Sequence, residues 1–167
     1  MAKTQAGFTA PIWRGAEYSR VAPRNYTAFA TRIQGPEWCL QFQRYSLLVE
    51  FELMSEPDSV RVCLFLNMGS DPRKPPGRQS NFYKAWTIAN GDMPKRGEAM
   101  CFDVFLRGQT YEIEVEDVLR NSKQGLKGEP EVYSRARQIL SAKWRNQESL
   151  NQESGIRNQE SSNQPIK

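Results

Sequence analysis

The sequence predicts a mainly β domain with one or two helices, in which about five strands close into a small barrel. Aromatic and β-branched residues cluster in short runs that alternate apolar with polar positions, as half-buried strands do. Gly, Pro, Asn and Ser separate these runs and supply turns. One central run carries helix start and stop signals. An α+β antiparallel sheet with helices on one face is the alternative architecture.

The N-terminal half contains the clearest strands. Residues 26–33 predict a first strand, residues 34–37 (Gln-Gly-Pro-Glu) have the composition of a turn, and residues 38–44 begin a further strand. Residues 46–53 and 60–67 alternate apolar with polar side chains around a short polar turn, which predicts an antiparallel hairpin. The hairpin places an Arg and a Phe on its outward face, where a helix or arm is expected to cover the Phe side chain, at position 65.

A short helix is predicted after the hairpin. Ser80 can cap its first turn, and an Asn-Gly pair at residues 90–91 supplies its end. Phe82 and Trp86 share one helical face and are predicted to point into the core, because a helix this short must dock on the sheet. The positions expected to look outward are Tyr83, Lys84 and Thr87.

The C-terminal part of the domain is predicted to hold a strand and a second helix. Residues 100–106 fit either a strand or a short helix, and residues 111–116 predict a strand with an acidic outer face. A helix is predicted from Glu131, because the apolar residues that follow recur along one helical stripe. That stripe consists of Val132, Ala136, Ile139, Leu140 and Trp144. This order of elements fits a barrel of the OB type, in which a helix plugs one end.

The chain is predicted to have three parts. Residues 1–23, rich in Ala, Gly and Pro, would form an N-terminal arm with a short edge strand near residues 17–21. Residues 24–145 would form the OB-like domain, which is long enough to bury a core without disulfides or metal. Residues 146–167 repeat Asn-Gln-Glu-Ser and offer almost nothing to bury, so a disordered tail is expected.

Composition excludes several kinds of site. The chain contains no histidine, which rules out Ser-His-Asp and Cys-His catalysis and any His-containing zinc site. Cys39, Cys63 and Cys101 are odd in number and too far apart for a zinc knuckle, which favours reduced thiols. The N-terminal region lacks a continuous apolar run, so neither a signal peptide nor a membrane span is expected. We therefore expect a cytoplasmic protein without a cofactor or a bound metal.

The candidate binding site is the segment 68–96, in which six cationic side chains stand against two aspartates. The net charge of this segment, +4, equals the formal net charge of the whole chain. Cations among aromatic rings suit a single-stranded nucleic acid, because phosphates need charge and unpaired bases need rings to stack on. The residues predicted to bind are Arg73, Lys74, Arg78, Tyr83, Lys84, Lys95 and Arg96. Reversing the first three of these to Glu is expected to abolish binding; a merely solubilising surface loop is the alternative.

Three glutamates on the strand at 111–116 raise the possibility of an enzyme. Glu112, Glu114 and Glu116 share one face of the predicted strand and could hold a divalent metal in a nuclease. However, the strand lacks the acid-x-Lys step of restriction-type nucleases, and the chain has no glycine-rich phosphate motif. A solvated acidic face is the simpler interpretation, so no catalytic residue is predicted.

A resemblance rests on three stretches: the aromatic helix at 80–91, the run at 102–118 with its Tyr-Glu-Ile-Glu-Val-Glu-Asp-Val strand, and Tyr133-Ser134. Their layout resembles small uncharacterised bacterial proteins of phages and integrated mobile elements. It is also similar to phage proteins thought to bind single-stranded DNA with an OB-like barrel. The resemblance covers about residues 18–140. It implies a non-enzymatic protein that binds single-stranded DNA in replication or recombination of a mobile element, and it carries over no binding residues.

Two classes of partner stay open at this point. If the chain binds single-stranded nucleic acid, salt should weaken its binding to an unstructured oligonucleotide. If it is instead a protein-interaction accessory module, either the mixed apolar surface left by the arm or the stripe at Ile139 and Trp144 is expected to dock a partner such as a replication or recombination protein. A metal-dependent nuclease built on the three glutamates is the third hypothesis, and absence of cleavage with magnesium or manganese would remove it.

Overall fold

Five strands and two short helices make up the part of the chain that the structure describes. The structure is a computed structural model, and it describes residues 20–56, 58–119 and 132–144. The strands are β1 (Asn25–Cys39), β2 (Arg44–Leu53), β3 (Arg61–Gly69), β4 (Thr110–Leu119) and β5 (Val132–Lys143). Between β3 and β4 lie α1 (Asn81–Asn90) and a 3-10 helix (Phe102–Leu106).

The strands close into a barrel in the order β1-β2-β3-β5-β4. Neighbouring strands are antiparallel except β3 and β5, which run parallel and pair at Leu64 and Ala136. A small closed sheet of five strands, interrupted by a helix, is an OB-like fold. The fold class predicted from the sequence is therefore confirmed, both as a mainly β domain and as an OB-like barrel.

Alternate residues of the strands fill the barrel interior. Leu47, Val49 and Phe51 of β2 are fully buried, as the alternation predicted, and Val62 and Leu64 of β3 are buried opposite them. The predicted hairpin is confirmed, because β2 and β3 pair in antiparallel register. Since side chains alternate along a strand, β2 and β3 also present a second face to the outside of the barrel.

One end of the barrel, called the hairpin end below, is where β1 turns into β2 through residues 40–43. β3 finishes at the same end, because Tyr45 of β2 pairs with Gly69, the last residue of β3. β4 begins at this end, since it is antiparallel to β1, and β5 finishes there, since Thr110 pairs with Lys143. The connection from β3 to β4, which contains α1, therefore starts and ends at the hairpin end.

Local signals set the limits of α1, and one of its faces docks on the core. The Ser80 hydroxyl accepts a hydrogen bond from a backbone N–H of the first turn, and Gly91 ends the helix with a φ of 80°. The predicted helix is therefore confirmed. Phe82 and Trp86 are buried, as predicted, and the Trp86 indole Nε1 donates to the carbonyl of Cys101 at 3.0 Å.

Residues 100–106, for which the sequence fitted both a strand and a helix, contain the 3-10 helix. Gln109, which is buried just before β4, donates its side-chain amide to the carbonyls of Ala89 and Val104 at 2.9 and 2.8 Å. Ala89 belongs to the last turn of α1 and Val104 to the 3-10 helix. One buried amide therefore fastens both helices to the start of β4.

β1 corrects one sequence prediction. Residues 34–37 do not form a turn, because β1 runs through them with a register shift against β2. Gly35 has a φ of 95°, and a Cβ atom there would lie 2.8 Å from backbone atoms of Glu37 and Ser46. The Gly-Pro pair therefore marks a bulge within a strand, where glycine bends the chain without ending it.

Replacing Gly35 by alanine is expected to lower the free energy of unfolding by about 1–3 kcal/mol, because Ala is strained at this φ and its Cβ lacks room. Urea denaturation measures the loss. Gly77→Ala is the matched control, since a Cβ at Gly77 meets no atom within 4 Å. Equal unfolding midpoints for the two variants would contradict the bulge interpretation.

The predicted C-terminal helix is wrong, because its residues form β5. Two register shifts against β4 leave Arg137 and Leu140 without a paired residue. As a result Ala136, Ile139 and Ala142, which pack on the core side, are spaced three residues apart. Two bulges in one strand thus imitate the spacing of a helical stripe.

The residues just before β1 lie against β5. Val21 is buried, its backbone N–H donates to the Ser134 hydroxyl at 2.9 Å, and that hydroxyl donates back to the Val21 carbonyl. The end of the predicted N-terminal arm is therefore fastened to the barrel. The rest of the arm, residues 1–19, and the tail at 146–167 lie outside the described residues.

Candidate nucleic-acid interface

Two pairs of side chains, Trp38 with Tyr45 and Phe42 with Arg44, lie at the hairpin end and are together called the aromatic cluster below. Trp38, near the end of β1, is 47% exposed, and Phe42 in the turn is 57% exposed. The Arg44 guanidinium lies 4.9 Å from the centroid of the Phe42 ring, and Trp38 meets Tyr45 edge to face at 5.1 Å. These contacts orient the rings of Trp38 and Phe42, and part of each ring stays open to solvent.

The basic loop, residues 70–80 between β3 and α1, begins beside the aromatic cluster. Gly69, which precedes the loop, pairs with Tyr45. The pKa of Arg73 in the loop is raised, mainly by its hydrogen bond to Asp71 and to a smaller extent by the nearby Tyr45 hydroxyl. The structure therefore brings the start of the predicted cationic segment to rings that the sequence places about thirty residues earlier.

Five of the predicted binding residues are exposed cations on either side of α1 and on the helix itself. Lys74 and Arg78 lie in the basic loop, Lys84 on α1, and Lys95 and Arg96 in the segment after the helix. The ten residues of α1 span about 15 Å. A partner that contacts both the loop and the segment after α1 must therefore be several nucleotides long.

Arg73 differs from these cations because Asp71 holds it. The Arg73 side chain donates from Nε to Oδ1 at 3.0 Å and from Nη2 to Oδ2 at 3.2 Å, and its backbone N–H donates to Oδ1 at 3.0 Å. These hydrogen bonds lower the pKa of the Asp71 carboxyl. Arg73 and Asp71 therefore form a neutral pair at pH 7.

The outward face of α1 is less open than the sequence predicted. Tyr83 is half-buried, so only part of its ring is left for stacking. The prediction that Thr87 looks outward is wrong, because its hydroxyl oxygen is enclosed by protein. Lys84 is exposed, in agreement with the prediction.

The outer face of β2 and β3 continues from the hairpin end. Phe65 is 39% exposed, and its partner across the ladder is the buried Leu48. The expected cover over its ring by a helix or arm stays a prediction, since residues 1–19 of the arm lie outside the described part of the chain. Asn67, the next outward residue towards the hairpin end, is also exposed. Further from that end, Arg61 pairs with Glu50 at 3.4 Å. The half of this face nearest the hairpin end therefore carries Phe65 and Asn67. On the other half Arg61 also lies 3.9 Å from Glu52, so one cation faces two carboxylates.

The acidic outer face predicted for β4 is confirmed, and β5 supplies partners for it. Glu116 accepts from Arg135 at 2.8 Å, and Glu114 accepts from Arg137 at 3.3 Å and from Gln138 at 2.6 Å. Within the described residues, no group of three or more acidic or Cys side chains is placed to hold a metal ion. A nuclease metal at these glutamates would have to displace cross-strand partners.

Sequence reasoning missed the aromatic cluster. The sequence pattern predicts the start of a strand at residues 38–44 and singles out neither Trp38 nor Phe42 as a ligand-binding ring. The signal available in the sequence was the position of Leu40, two residues from each of them; in the structure Leu40 is 80% exposed. Trp38, Leu40 and Phe42 are large apolar residues at alternate positions, and the alternation of β2 begins soon after them. The turn that precedes β2 must therefore lie among these three residues.

Comparison with known proteins adds no relative. No protein-family model matches the chain, and no curated protein matches it significantly. The resemblance to proteins of phages and mobile elements therefore stays a prediction, and the site is argued from its own geometry. Across residues 20–56, 58–119 and 132–144, no helix has the length and apolar character needed to cross a membrane.

Proposed function

We propose that the protein is a non-enzymatic binder of single-stranded nucleic acid, in the first place single-stranded DNA, and that it serves replication or recombination of a mobile element. The observation that supports this is the aromatic cluster beside the basic loop at one end of an OB-like barrel. OB folds bind oligonucleotides with the loop between their first two strands and with the face of strands 2 and 3. Phe42 lies in the first of those places, the turn between β1 and β2.

Unpaired bases are the ligands best matched to these rings. A base stacked on an aromatic side chain contributes about 1–3 kcal/mol, and every base has a face to offer. In a duplex, neighbouring base pairs cover those faces. Trp38 and Phe42, which are exposed beside or within the turn between β1 and β2, would therefore favour a single strand over a duplex.

Phosphates would follow the cations beside the rings. Lys74 and Arg78 lie in the loop next to the aromatic cluster, and Lys84 lies on the helix that the loop enters. Each cation that neutralises a phosphate releases counterions, so binding weakens as salt rises. This gives the proposal a measurable signature that is separate from stacking.

Changing Lys74, Arg78 and Lys84 together to Gln is expected to flatten the salt dependence of binding. In binding to a single strand, each phosphate contact contributes about −0.7 to the slope of log K against log salt. Loss of three contacts should therefore make the slope less negative by about 2. Fluorescence anisotropy with a labelled thymine oligonucleotide at several salt concentrations measures the slope, and the equivalent duplex serves as the competitor.

A matched control removes the same charge elsewhere. Arg20, Arg24 and Arg137 are exposed cations in surface ion pairs with Asp or Glu, away from the hairpin end. Their triple change to Gln gives the same net charge and should leave the slope close to that of the unchanged protein. Equal slopes for both triple variants would reject the basic loop as the phosphate site, and no binding at low salt would reject the proposal.

A protein-interaction accessory module is the second candidate, because apolar side chains remain exposed on β5. Leu140 is 38% and Trp144 is 43% exposed, whereas Ile139, expected to share their surface, is buried in the barrel. A docking surface here would therefore be smaller than the sequence stripe suggested. Co-purification of a partner polypeptide by a protein that ignores oligonucleotides at low salt would favour this candidate.

A further inference from the structure

The neutral pair of Asp71 and Arg73 leaves one edge of the guanidinium unused. Arg73 has five N–H donors, and Asp71 accepts one from Nε and one from Nη2. The end of the guanidinium, with the remaining donors on Nη1 and Nη2, is open, because the Arg73 side chain is 88% exposed. This end presents two parallel N–H groups to a ligand.

The backbone of the loop holds that edge in place. The Arg73 N–H donates to the Asp71 carboxylate, and the Lys74 N–H donates to the Asp71 carbonyl at 3.2 Å. Pro72 between them fixes its own φ. Hydrogen bonds to Asp71 therefore hold both the side chain and the main chain of Arg73. Binding of a ligand then costs little side-chain conformational entropy.

We infer that Arg73, oriented by Asp71, donates its two free N–H groups to the O6 and N7 atoms of an unpaired guanine. This inference rests on the proposed function and gives that site a base preference. A bidentate arginine is the commonest specific contact to guanine, because O6 and N7 are two acceptors on one edge of the base. The loop that holds Arg73 follows Gly69, which pairs with Tyr45 of the aromatic cluster.

Charge favours a base edge over a phosphate as the ligand of Arg73. The Asp71 carboxylate lies 3.0 Å from the Arg73 guanidinium and cancels its charge. A phosphate at Arg73 would meet the repulsion of that carboxylate, whereas a guanine edge is neutral and depends on donor geometry. Lys74 and Arg78, which are exposed, are the better phosphate contacts of this loop.

The test compares two labelled single strands, one of thymine alone and one of thymine with isolated guanines that cannot form quadruplexes. The unchanged protein should bind the guanine strand roughly 5- to 150-fold more tightly, as expected for one good bidentate contact. Arg73→Lys keeps the charge but loses the two parallel donors, so it should bind both strands alike. Lys74→Gln should weaken binding to both strands and leave their ratio unchanged.

Asp71→Asn separates an orienting role from simple support of the loop. The variant frees the charge of Arg73, so binding to the thymine strand should become tighter while the guanine preference falls. A purely structural loss would weaken both. Replacing guanine by 7-deazaguanine removes N7 and should abolish the preference, whereas hypoxanthine keeps both acceptors and should retain it.

The outcomes separate this inference from the proposal beneath it. Binding of both strands with equal affinity overturns the guanine contact and leaves single-strand binding standing. A preference that survives Arg73→Lys, or one insensitive to 7-deazaguanine, overturns it as well. Failure to bind either strand at low salt overturns the proposed function itself.

Discussion

Replacing Trp38 and Phe42 together by alanine is expected to weaken binding to a single-stranded oligonucleotide by about 2–6 kcal/mol, since each stacked base contributes about 1–3 kcal/mol. Both rings are half exposed and neither belongs to the barrel core. The loss should therefore appear in binding and hardly in the free energy of unfolding. Anisotropy titration and urea denaturation of the same preparation measure the two quantities.

The salt dependence distinguishes stacking from charge in this experiment. The double alanine variant keeps every cation of the basic loop, so its slope of log K against log salt should equal that of the unchanged protein. Leu119→Ala is the control, because Leu119 is a large apolar side chain, 63% exposed, at the last residue of β4 and so at the end of the barrel opposite the hairpin end. Unchanged affinity in the double variant, or equal losses in the control, would remove the aromatic cluster from the site.

The order of these residues along the chain explains why the cluster was not predicted. The sequence placed the binding site in the continuous segment 68–96, since cations and rings are adjacent there. In the fold, most of that segment's aromatic surface is used for packing, because Phe82 and Trp86 are buried. The rings at the hairpin end come from β1 and the turn after it, and the pairing of Tyr45 with Gly69 brings the start of the basic loop to them.

The fold itself was predictable to the extent that each element carries its own local pattern. The alternation in β2 and β3 and the caps of α1 belong to single stretches of chain. β1 and β5 were harder, because bulges change the spacing of their inward residues. Gly35-Pro36 in β1 imitates a turn, and Ala136 and Ile139 in β5 imitate a helical stripe. Only the pairing of each strand with its neighbour shows which of its residues point into the barrel.

The pairing of β4 with β5 also explains why the glutamates of β4 are not free. The sequence alone presents Glu114 and Glu116 as free carboxylates. In the structure Glu114 pairs with Arg137 and Glu116 with Arg135, about twenty residues later in the chain. Those two arginines were assigned to a helix. Once β5 is a strand, alternate cations meet alternate acids across the ladder, and the face becomes a set of cross-strand ion pairs.

Trp86→Ala is expected to lower the free energy of unfolding by about 3–5 kcal/mol, the range for deleting a large aromatic side chain from a core. Trp86 is 2% exposed, lies on the docking face of α1 and hydrogen-bonds to the Cys101 carbonyl. Its removal leaves a cavity and an unpaired carbonyl where α1 meets the segment before the 3-10 helix. Urea denaturation followed by circular dichroism measures the loss.

Two further variants show which part of Trp86 matters. Trp86→Phe keeps most of the ring and loses the N–H donor, so its cost should be smaller than that of Ala. Trp144→Ala removes an exposed indole and should change stability by no more than about 0.5 kcal/mol. If Trp86→Ala and Trp144→Ala cost the same, α1 does not close the barrel as the structure has it.

The Trp86→Ala variant should also affect binding, because α1 joins the basic loop to Lys95 and Arg96. If the helix no longer docks on the barrel, these two proposed phosphate contacts lose their fixed distance from the basic loop. Trp86→Ala should therefore weaken binding further for long oligonucleotides than for short ones.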